Sequence, residues 1–552
     1  MQVLKLITRE SRMSFRGLVG LAAVSGIANA GLLALINHII GREDDSATGF
    51  SNLLLFALVI AVFYFSKKYI LHRSTIIVEK VVSRLRMRIA DKIRKSELAV
   101  IENIGRSDIY ARVTQDANYI SQTAAYLINA CQSAVMIGAS VLYLAWLSVP
   151  AFMITAVAVA GGFVFYTNRQ KLIRSDIRTM FKKETEFFES LNEILSGIKE
   201  LKLHHRKNER LYESFVRLAR ETEEVKIRTG FHYVHNFSFS QMFFYVLIGI
   251  MIFILPKFGG GDTATTTKLV TALLFIVGPI ESLVGSVQLF SKANVAAQNI
   301  EALERQLEQA ADPRKAAGPT AAPWPDDPYD IEPLPFNNSI ELQHLEFEYS
   351  DSAGGASFRV GPLDLSINKG ERLFIVGGNG SGKSTLLKLI AGLYFPEGGR
   401  IAVDGRILML DDYPAYRELF SAVFTDFHLF KFLYGVEQSD PQAFSRLLAM
   451  LQLDAKTSFA DGRFSDLNLS TGQRKRLALI AAIVEDRDIL VFDEAAADQD
   501  PEFKRHFYET LLPELSARGK TIIAVTHDDA YFDRAHRVVK MEFGAISRAV
   551  DV

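Results

Sequence analysis

The segment RLFIVGGNGSGKSTLLKLIAGL, residues 372–393, decides the fold of the half of the chain in which it lies. Residues 372–376 are mostly apolar and typical of a buried strand, and the apolar spacing from Leu386 onward favours a helix. Between them lies the pattern Gly-x-x-x-x-Gly-Lys-Ser, residues 377–384, in the strand–loop–helix setting that a P-loop requires. Strands and helices alternate after Ser339, so we predict an α/β P-loop nucleotide-binding domain over 339–552.

The residue types of this loop suit a phosphate group. Glycines let consecutive backbone N–H groups curl around phosphate oxygens, and the helix N-terminus adds partial positive charge. Lys383 is expected to reach the β- and γ-phosphates of ATP, and Ser384 to place its hydroxyl oxygen on Mg²⁺. The predicted nucleotide-binding residues here are Gly377, Asn379, Gly380, Ser381, Gly382, Lys383, Ser384 and Thr385.

A pair of acids follows a second buried strand. The apolar run 489–492 ends in Asp493 and Glu494, about 110 residues after the P-loop. Such a pair alone is weak evidence, but its position after a P-loop gives it meaning. We expect Asp493 to hold Mg²⁺ through water and Glu494 to orient or deprotonate the attacking water.

A second anion-binding turn lies between these motifs. Residues 469–473 read LSTGQ and open a helix, so hydroxyl and N–H groups of Ser470, Thr471, Gly472 and Gln473 are predicted to bind phosphate. A second phosphate clamp is understandable if it closes on the nucleotide held by another copy of the chain.

The first half of the chain is predicted to be a membrane domain. Six apolar stretches approach the roughly 20 residues needed to cross a bilayer, some only with their flanks. The stretches are 17–40, 51–66, 124–147, 149–166, 237–256 and 268–290. Basic residues precede the first stretch as in a signal peptide, but its length and the spans that follow favour a retained span.

Long charged connections, 67–123 and 167–236, alternate with short ones. Their basic residues place them in the cytoplasm by the positive-inside rule. Their helical pattern indicates membrane helices that continue into the cytosol, with turns expected at 105–116 and 201–215. The Pro- and Ala-rich segment 310–338 is predicted to link a membrane domain, 1–309, to the nucleotide-binding domain.

Composition excludes several classes of function. The chain has 552 residues and a formal net charge of −1, which gives no electrostatic footprint for nucleic acid. Its single cysteine, Cys131, excludes an intramolecular disulfide and a Cys-rich metal site.

The motif order P-loop, LSTGQ, strand-Asp-Glu and Thr526-His527-Asp528 resembles the nucleotide-binding domain of ABC transporters. The resemblance implies that His527 contacts the γ-phosphate and that Asp500 belongs to the D-loop. It also implies that Tyr349 stacks on adenine. Thr425 stands where the family usually has a glutamine, so its role on the metal side is inferred by position only.

The whole chain resembles the exporter type: an α-helical six-span transmembrane domain followed by one nucleotide-binding domain. More narrowly it is similar to the bacterial cyclic-peptide exporters of the YojI, SyrD and PvdE type. The segments that carry this closer resemblance are 377–385, 420–426, 493–503 and 526–532.

The resemblance implies a homodimer in the bacterial inner membrane, with its ATPase in the cytoplasm and a peptidic or small-molecule cargo. Each ATP would lie between the P-loop of one copy and the LSTGQ turn of the other, and the spans would contact membrane lipid. Among the polar residues of the spans, Glu281 is the best single candidate to touch cargo, because intramembrane carboxylates are expensive and often functional. Helix-joining hydrogen bonds are the structural alternative for Asn29, Asn37, Asn129, Gln132, Gln241 and Gln288.

Other classes of function remain open at this stage. A lipid or lipid-linked oligosaccharide flippase shares every motif with a peptide exporter. A soluble ABC ATPase lacks the spans, an importer lacks support from a fused receptor, and a silent regulator is disfavoured by the intact Lys383, Asp493, Glu494 and His527.

Overall fold

The computed structural model describes residues 5–6, 15–39, 46–259, 263–311, 331–349, 358–436 and 441–551. The chain divides into two compact units. The first comprises Met1–Ile93 and Ile104–Gln306, and the second comprises Arg94–Asn103 and Leu307–Val552. Most of the linker expected at 310–338 lies outside the described residues. The assignment of 94–103 to the second unit was not foreseen from the sequence.

Long helices build the first unit. Its helices are α1 (Phe15–Ile39), α2 (Ser46–Lys95), α3 (Leu98–Ile104, shared with the second unit), α4 (Arg106–Ala111), α5 (Ala117–Leu147), α6 (Val149–Ser196), α7 (Ile198–Leu203), α8 (His205–Gly249), α9 (Leu255–Gly259) and α10 (Thr263–Ala311). Helix α2 has 50 residues, a length of about 75 Å against a bilayer core of about 30 Å. The predicted helical continuation of the membrane segments is therefore confirmed.

Among the described residues, five helical stretches are long and apolar enough to cross a membrane. They are Gly20–His38, Phe50–Lys95, Arg106–Leu147, His205–Lys257 and Thr265–Glu308. The fourth predicted span, 149–166, lies in α6, where the described apolar stretch is Val149–Gly162. A helical membrane domain is thus established, and the count of six spans is not confirmed.

Each cytosolic connection contains one break before the predicted turn segment and one inside it. The first connection breaks at Ser96 and again at Gly105, and the second at Gly197 and again at His204, while most of 105–116 and 201–215 is helical. Gly105, at φ +85°, marks a further change of direction before α4.

Close packing joins α1 to α5 in the first unit. A Cβ at Gly26 would lie 2.9 Å from a methyl carbon of Val135 and 3.0 Å from the carbonyl oxygen of Gln132. Small residues allow this approach where apolar burial gives no driving force between helices in lipid.

The second unit contains the predicted α/β arrangement. Its elements are β1 (Ser339–Glu348), β2 (Arg359–Asn368), β3 (Arg372–Gly377), α11 (Lys383–Ile390), β4 (Gly398–Val403), β5 (Arg406–Ile407), α12 (Tyr413–Arg417), β6 (Phe420–Val423), α13 (Pro441–Met450), β7 (Phe459–Ala460), β8 (Arg463–Phe464), α14 (Thr471–Val484), β9 (Ile489–Asp493), α15 (Pro501–His506), α16 (Leu512–Ala517), β10 (Thr521–Val525), β11 (Arg537–Glu542) and β12 (Ala545–Asp551).

Two sheets organise this unit. The larger has the strand order β12-β11-β3-β10-β9-β6, in which β11, β3, β10, β9 and β6 run parallel. The smaller, antiparallel sheet has the order β2-β1-β4-β5. Strands β9 and β10 are buried throughout, as expected for the centre of a parallel sheet covered on both faces.

Candidate functional site

The sequence motifs meet at one edge of the larger sheet. Strands β3, β10, β9 and β6 lie side by side, and Val525 pairs with both Ile375 and Asp493. Because parallel strands end on the same side, the P-loop, His527, Asp493 and Thr425 all follow carboxyl ends at this edge. Ligands of open α/β sheets bind at such an edge.

The P-loop wraps the ammonium group of its own lysine. The Nζ atom of Lys383 donates to the carbonyl oxygens of Gly377 and Gly378, each at 2.9 Å. Gly377 has φ +150°, and a Cβ there would lie 2.3 Å from the carbonyl oxygen of Met541, so only glycine fits. The lysine thus stands inside the loop, where phosphate oxygens would replace the carbonyl contacts.

The other loop residues are divided between exposed and buried positions. Asn379 and Gly380 are exposed, Gly382 precedes α11, and Ser384 is exposed in its first turn. The Ser381 hydroxyl is buried and has no hydrogen-bond partner among the described residues. A buried unpaired hydroxyl is unfavourable, so its position at this loop fits a phosphate ligand.

The Mg²⁺ position predicted from sequence has a fitting donor set. The Ser384 hydroxyl donates to Asp493 Oδ2 at 2.9 Å, and Asp493 Oδ1 is buried without a partner among the described residues. Burial raises the pKa of the Asp493 carboxyl above its usual value. A cation at this point would pair with Asp493 Oδ1 and would offset the cost of burying the charged carboxylate. No group of three or more His, Cys, Asp or Glu side chains that could hold a metal ion occurs in the described ranges.

Glu494 and His527 are brought together by the two central strands. His527 Nε2 lies 3.1 Å from Glu494 Oε1, with both side chains partly exposed at the end of β9 and β10. The predicted catalytic residues therefore form one hydrogen-bonded pair next to Asp493.

The residues beside His527 are anchored by a tyrosine that the sequence did not reveal. Tyr508 shares a hydrogen bond of 2.6 Å with the Thr526 hydroxyl and donates to Asp528 Oδ2 at 3.1 Å. Lys504 forms an ion pair of 2.6 Å with the same carboxylate of Asp528. Both neighbours of His527 are thus fixed, which limits where its imidazole can turn.

The predicted adenine-stacking residue lies next to the phosphate loop. The Tyr349 hydroxyl is 3.1 Å from Thr385 Oγ1, and the ring is 38% exposed. The Tyr349 ring also contacts two aromatic rings. The centroid of Tyr394 lies edge-on at 6.0 Å, and that of Phe347 lies perpendicular at 5.2 Å. The exposed part of the ring leaves a surface on which a base can stack.

Thr425 is exposed two residues after β6 ends. Its strand pairs with β9, which carries Asp493, so Thr425 follows the strand next to the acidic one. Within the described ranges no hydrogen bond joins it to the Asp493 cluster, and its part in metal binding stays a prediction.

The LSTGQ turn begins helix α14 through a reciprocal cap. The Ser470 hydroxyl accepts from the Gln473 N–H at 3.3 Å, and Gln473 Oε1 accepts from the Ser470 N–H at 3.1 Å. The predicted helix start is confirmed. Thr471 and Gly472 occupy the first turn, where unpaired backbone N–H groups suit an anion.

The LSTGQ turn is fastened to the loop that follows Glu494. Gln499 is buried, donates to the Gly472 carbonyl at 2.9 Å and accepts from Arg476 Nε at 2.9 Å. Arg476 also pairs with Asp500, the predicted D-loop aspartate, at 2.5 Å. Asp500 in turn caps α15 by accepting from the Phe503 N–H at 2.8 Å. Sequence reasoning found Asp500 but missed Gln499 and Arg476.

The segment 94–103 contacts residues of its unit that follow the P-loop in sequence. Glu102 forms an ion pair with Lys388 at 3.0 Å and accepts from the Tyr394 hydroxyl at 2.5 Å. Glu97, which is buried, pairs with Arg417 at 2.6 Å. Tyr394 also contacts Tyr349, the predicted adenine-stacking residue, so a single side chain connects segment 94–103 to that residue.

The polar residues of the membrane unit fall into two groups. Asn29, Asn37 and Gln132 join helices, with hydrogen bonds to Met136 Sδ at 3.0 Å, the Lys268 carbonyl at 3.2 Å and Ser25 Oγ at 3.2 Å. The helix-joining alternative is therefore confirmed for these three. Gln241 of α8 also joins helices, but its partner is a carboxylate: it donates from Nε2 to Glu281 Oε1 of α10 at 2.8 Å.

Comparison with known proteins identifies both parts of the chain. The family model described as ABC transporter matches residues 360–497, and the one described as ABC transporter transmembrane region matches residues 18–301.

Relatives match over nearly the whole length. The ATP-binding protein SyrD of Pseudomonas syringae pv. syringae is 32% identical over 95% of this chain and 92% of its own. An ATP-dependent lipid A-core flippase of Burkholderia thailandensis is 24% identical over 96% of this chain and 89% of its own. The structure of a bacterial Atm1-family ABC exporter with ATP bound shares the fold, with a TM-score of 0.75, 17% identity and coverage of 100% and 95%.

A membrane region and an ATP-binding region in this order, with the motifs of both sides of an ATP site, leave one conclusion. The chain belongs to the ABC transporter family, as an exporter half-transporter that couples ATP hydrolysis to transport.

Proposed function

We propose that this protein exports a peptidic natural product across the bacterial inner membrane, with its ATPase unit in the cytoplasm. The cargo class comprises cyclic peptides, microcin-like peptides, lipopeptides and siderophore precursors. Support comes from the resemblance to the SyrD type in segments 420–426, 493–503 and 526–532, and from 32% identity to SyrD over 95% of the chain.

The working form we propose is a homodimer with two ATP sites. Each chain carries one P-loop and one LSTGQ turn, so two copies related by a two-fold axis complete two sites. ATP would lie between Lys383 and Ser384 of one copy and Ser470 and Gly472 of the other. ATP bound in this way favours the closed pair of domains, and loss of phosphate lets them part.

Hydrolysis is assigned to the pair at the ends of β9 and β10. Glu494 orients the attacking water and accepts its proton, while His527 holds the carboxylate at 3.1 Å and contacts the γ-phosphate. Ser384 and Asp493 would hold Mg²⁺, which neutralises charge developing on the phosphates. This Glu494–His527 contact beside the P-loop is the observation that carries the ATPase part of the proposal.

Motion in the ATPase unit would reach the membrane helices through segment 94–103. Glu102 and Glu97 bind this segment to Lys388, Tyr394 and Arg417, so it moves with the nucleotide site. Because α2 ends at Lys95, the segment passes that displacement directly to a long helix. Alternate inward and outward openings of a cargo path that includes Glu281 would follow.

A lipid flippase is the second candidate. The observation in its favour is the 24% identity to ATP-dependent lipid A-core flippases over most of the chain. The lower identity makes it the weaker candidate.

The test is ATP turnover of the purified protein in lipid, with a panel of cyclic and linear peptides and a panel of lipids. We expect a subset of peptides to stimulate turnover. We expect Glu494→Gln to lower it at least about 100-fold because it removes the base. Glu502→Gln, an exposed glutamate of α15, is the matched control and retains turnover. Stimulation by lipids alone would favour the flippase, and full turnover in Glu494→Gln would overturn the catalytic assignment.

A further inference from the structure

One carboxylate stands alone in the membrane part of the sequence. Among the six predicted apolar stretches, Glu281 is the only Asp or Glu. It lies in α10, about 20 Å along the helix axis from the start of the stretch at Lys268 and about 14 Å from its end at Phe290. An ionisable group at this depth is unfavourable unless a partner or a function retains it.

The contacts of Glu281 leave its charge uncompensated. Gln241 of α8 donates one amide N–H to Glu281 Oε1 at 2.8 Å, and both side chains are half-buried. No ion pair to Glu281 is formed within the described parts of the chain. A neutral amide orients a carboxylate but does not cancel its charge, so one oxygen stays available to an incoming group.

Joining helices does not require a carboxylate at this position. Elsewhere in the unit neutral groups do so, as Gln132 with Ser25 and Asn37 with the Lys268 carbonyl show. A glutamine at 281 would bond Gln241 equally well without the penalty of a charge in the membrane. The negative charge itself is therefore what needs an explanation.

Pro279 lies inside α10, two residues before Glu281, and lacks the N–H that would bond the carbonyl of Phe275. Helix α10 nevertheless continues to Ala311, and no described basic side chain forms an ion pair with Glu281.

We propose that the cargo carries a cationic group, an ammonium or a guanidinium, and that Glu281, oriented by Gln241, binds it during transport. This inference rests on the proposed export of peptides and specifies their charge. The carboxylate accepts N–H groups of the cation in a partly desolvated setting, where such a pair is stronger than in water. Cargo without the cation would leave Glu281 unpaired and bind more weakly.

The experiment compares peptides that differ only in charge. A cyclic peptide with one primary amine that stimulates the ATPase, and the same peptide with that amine acetylated, are titrated on the full-length protein in liposomes. In the unaltered protein, the acetylated peptide should need an at least tenfold higher concentration for half-maximal stimulation. Glu281→Gln should abolish this difference, Glu281→Asp should retain part of it, and Gln241→Leu should reduce it. Glu301→Gln, at a partly exposed carboxylate paired with Arg305, should leave it intact.

The outcomes separate this inference from the function on which it rests. Peptide stimulation without preference for the amine, or a preference that survives in Glu281→Gln, overturns the cationic-cargo inference and leaves peptide export standing. An equal loss for both peptides in Glu281→Gln also overturns it, because the carboxylate would then act on packing or on proton movement. Failure of every peptide to stimulate the unaltered protein overturns peptide export itself. Because the comparison within the unaltered protein already discriminates, the inference remains testable if a variant folds poorly.

Discussion

Glu494 adopts a backbone conformation that a glutamate rarely occupies. Its φ is +52°, in the left-handed region, and two backbone hydrogen bonds hold it there, to Val525 at 3.1 Å and from Ala497 at 3.0 Å. Such conformations cost about 1–3 kcal/mol and persist where the surroundings impose them, often at active sites. Here the conformation accompanies the contact between the carboxylate and His527, so local strain coincides with the residue assigned to catalysis.

The first prediction at the scale of residues concerns Tyr508. Tyr508→Phe removes the hydroxyl that bonds Thr526 and Asp528 on either side of His527. We expect kcat for ATP to fall about fivefold, the equivalent of one hydrogen bond of about 1 kcal/mol, with KM for ATP nearly unchanged. Steady-state ATPase kinetics measure both values.

Tyr531→Phe is the matched control for this prediction. Its ring stacks on that of Tyr508 at 4.5 Å, so the variant removes a neighbouring hydroxyl and keeps the ring contact. An equal fall of kcat in both variants would show that Tyr508 does not act through its hydrogen bonds to the flanks of His527.

At the scale of elements, the start of α14 and the loop after β9 behave as one body. Gln499 and Arg476 fasten the loop to the LSTGQ turn, and Arg476 also lies over the Phe503 ring of α15 at 4.2 Å. The catalytic loop of one ATP site and the LSTGQ turn proposed for the other are therefore mechanically joined within each chain.

Gln499→Leu tests this connection. Leucine matches glutamine in bulk but loses the bonds to Gly472 and Arg476, so we expect kcat/KM for ATP to fall about tenfold. Gln499→Glu keeps the acceptor for Arg476 and loses only the donor to Gly472. Its kcat/KM for ATP should therefore lie between the values of the unaltered protein and of Gln499→Leu. Gln343→Leu, in the antiparallel sheet, is the control and retains turnover. Unaltered kinetics in Gln499→Leu would refute the positional role of Gln499.

Some elements were predictable from sequence and others were not. The buried strand before Asp493, the P-loop helix and the start of α14 carry strong local signals, namely apolar runs, glycine spacing and a capping box. The breaks at Ser96 and Gly197 were not predicted, because they lie within long segments of continuous helical periodicity.

At the scale of the whole molecule, the proposed dimer requires each ATP site to draw on two chains. Lys383→Ala disables a P-loop and Ser470→Arg disables an LSTGQ turn. A mixed dimer with one variant on each chain keeps one complete site, whereas a dimer with both variants on one chain keeps none. We expect ATP turnover of the dimer with one variant on each chain to be at least about tenfold higher. In the dimer with both variants on one chain, electrostatic contacts to phosphate are lost in both sites.

Differently tagged chains purified in tandem provide both mixed dimers for ATPase measurement. Homodimers of each single variant serve as controls and should be inactive. Equal turnover of the two mixed dimers would contradict a site shared between chains, whatever the identity of the cargo.

The sequence by itself determined the two kinds of domain, the phosphate loop, the acidic strand end and the apolar stretches. These features follow from residue chemistry and from the periodicity of apolar residues, both of which are local. Only the tertiary structure decided that Tyr508 fixes the flanks of His527, that Glu102 meets Tyr394 and that Gln241 meets Glu281. These partners lie 18 to 292 residues apart, and such contacts depend on how elements pack rather than on any local pattern.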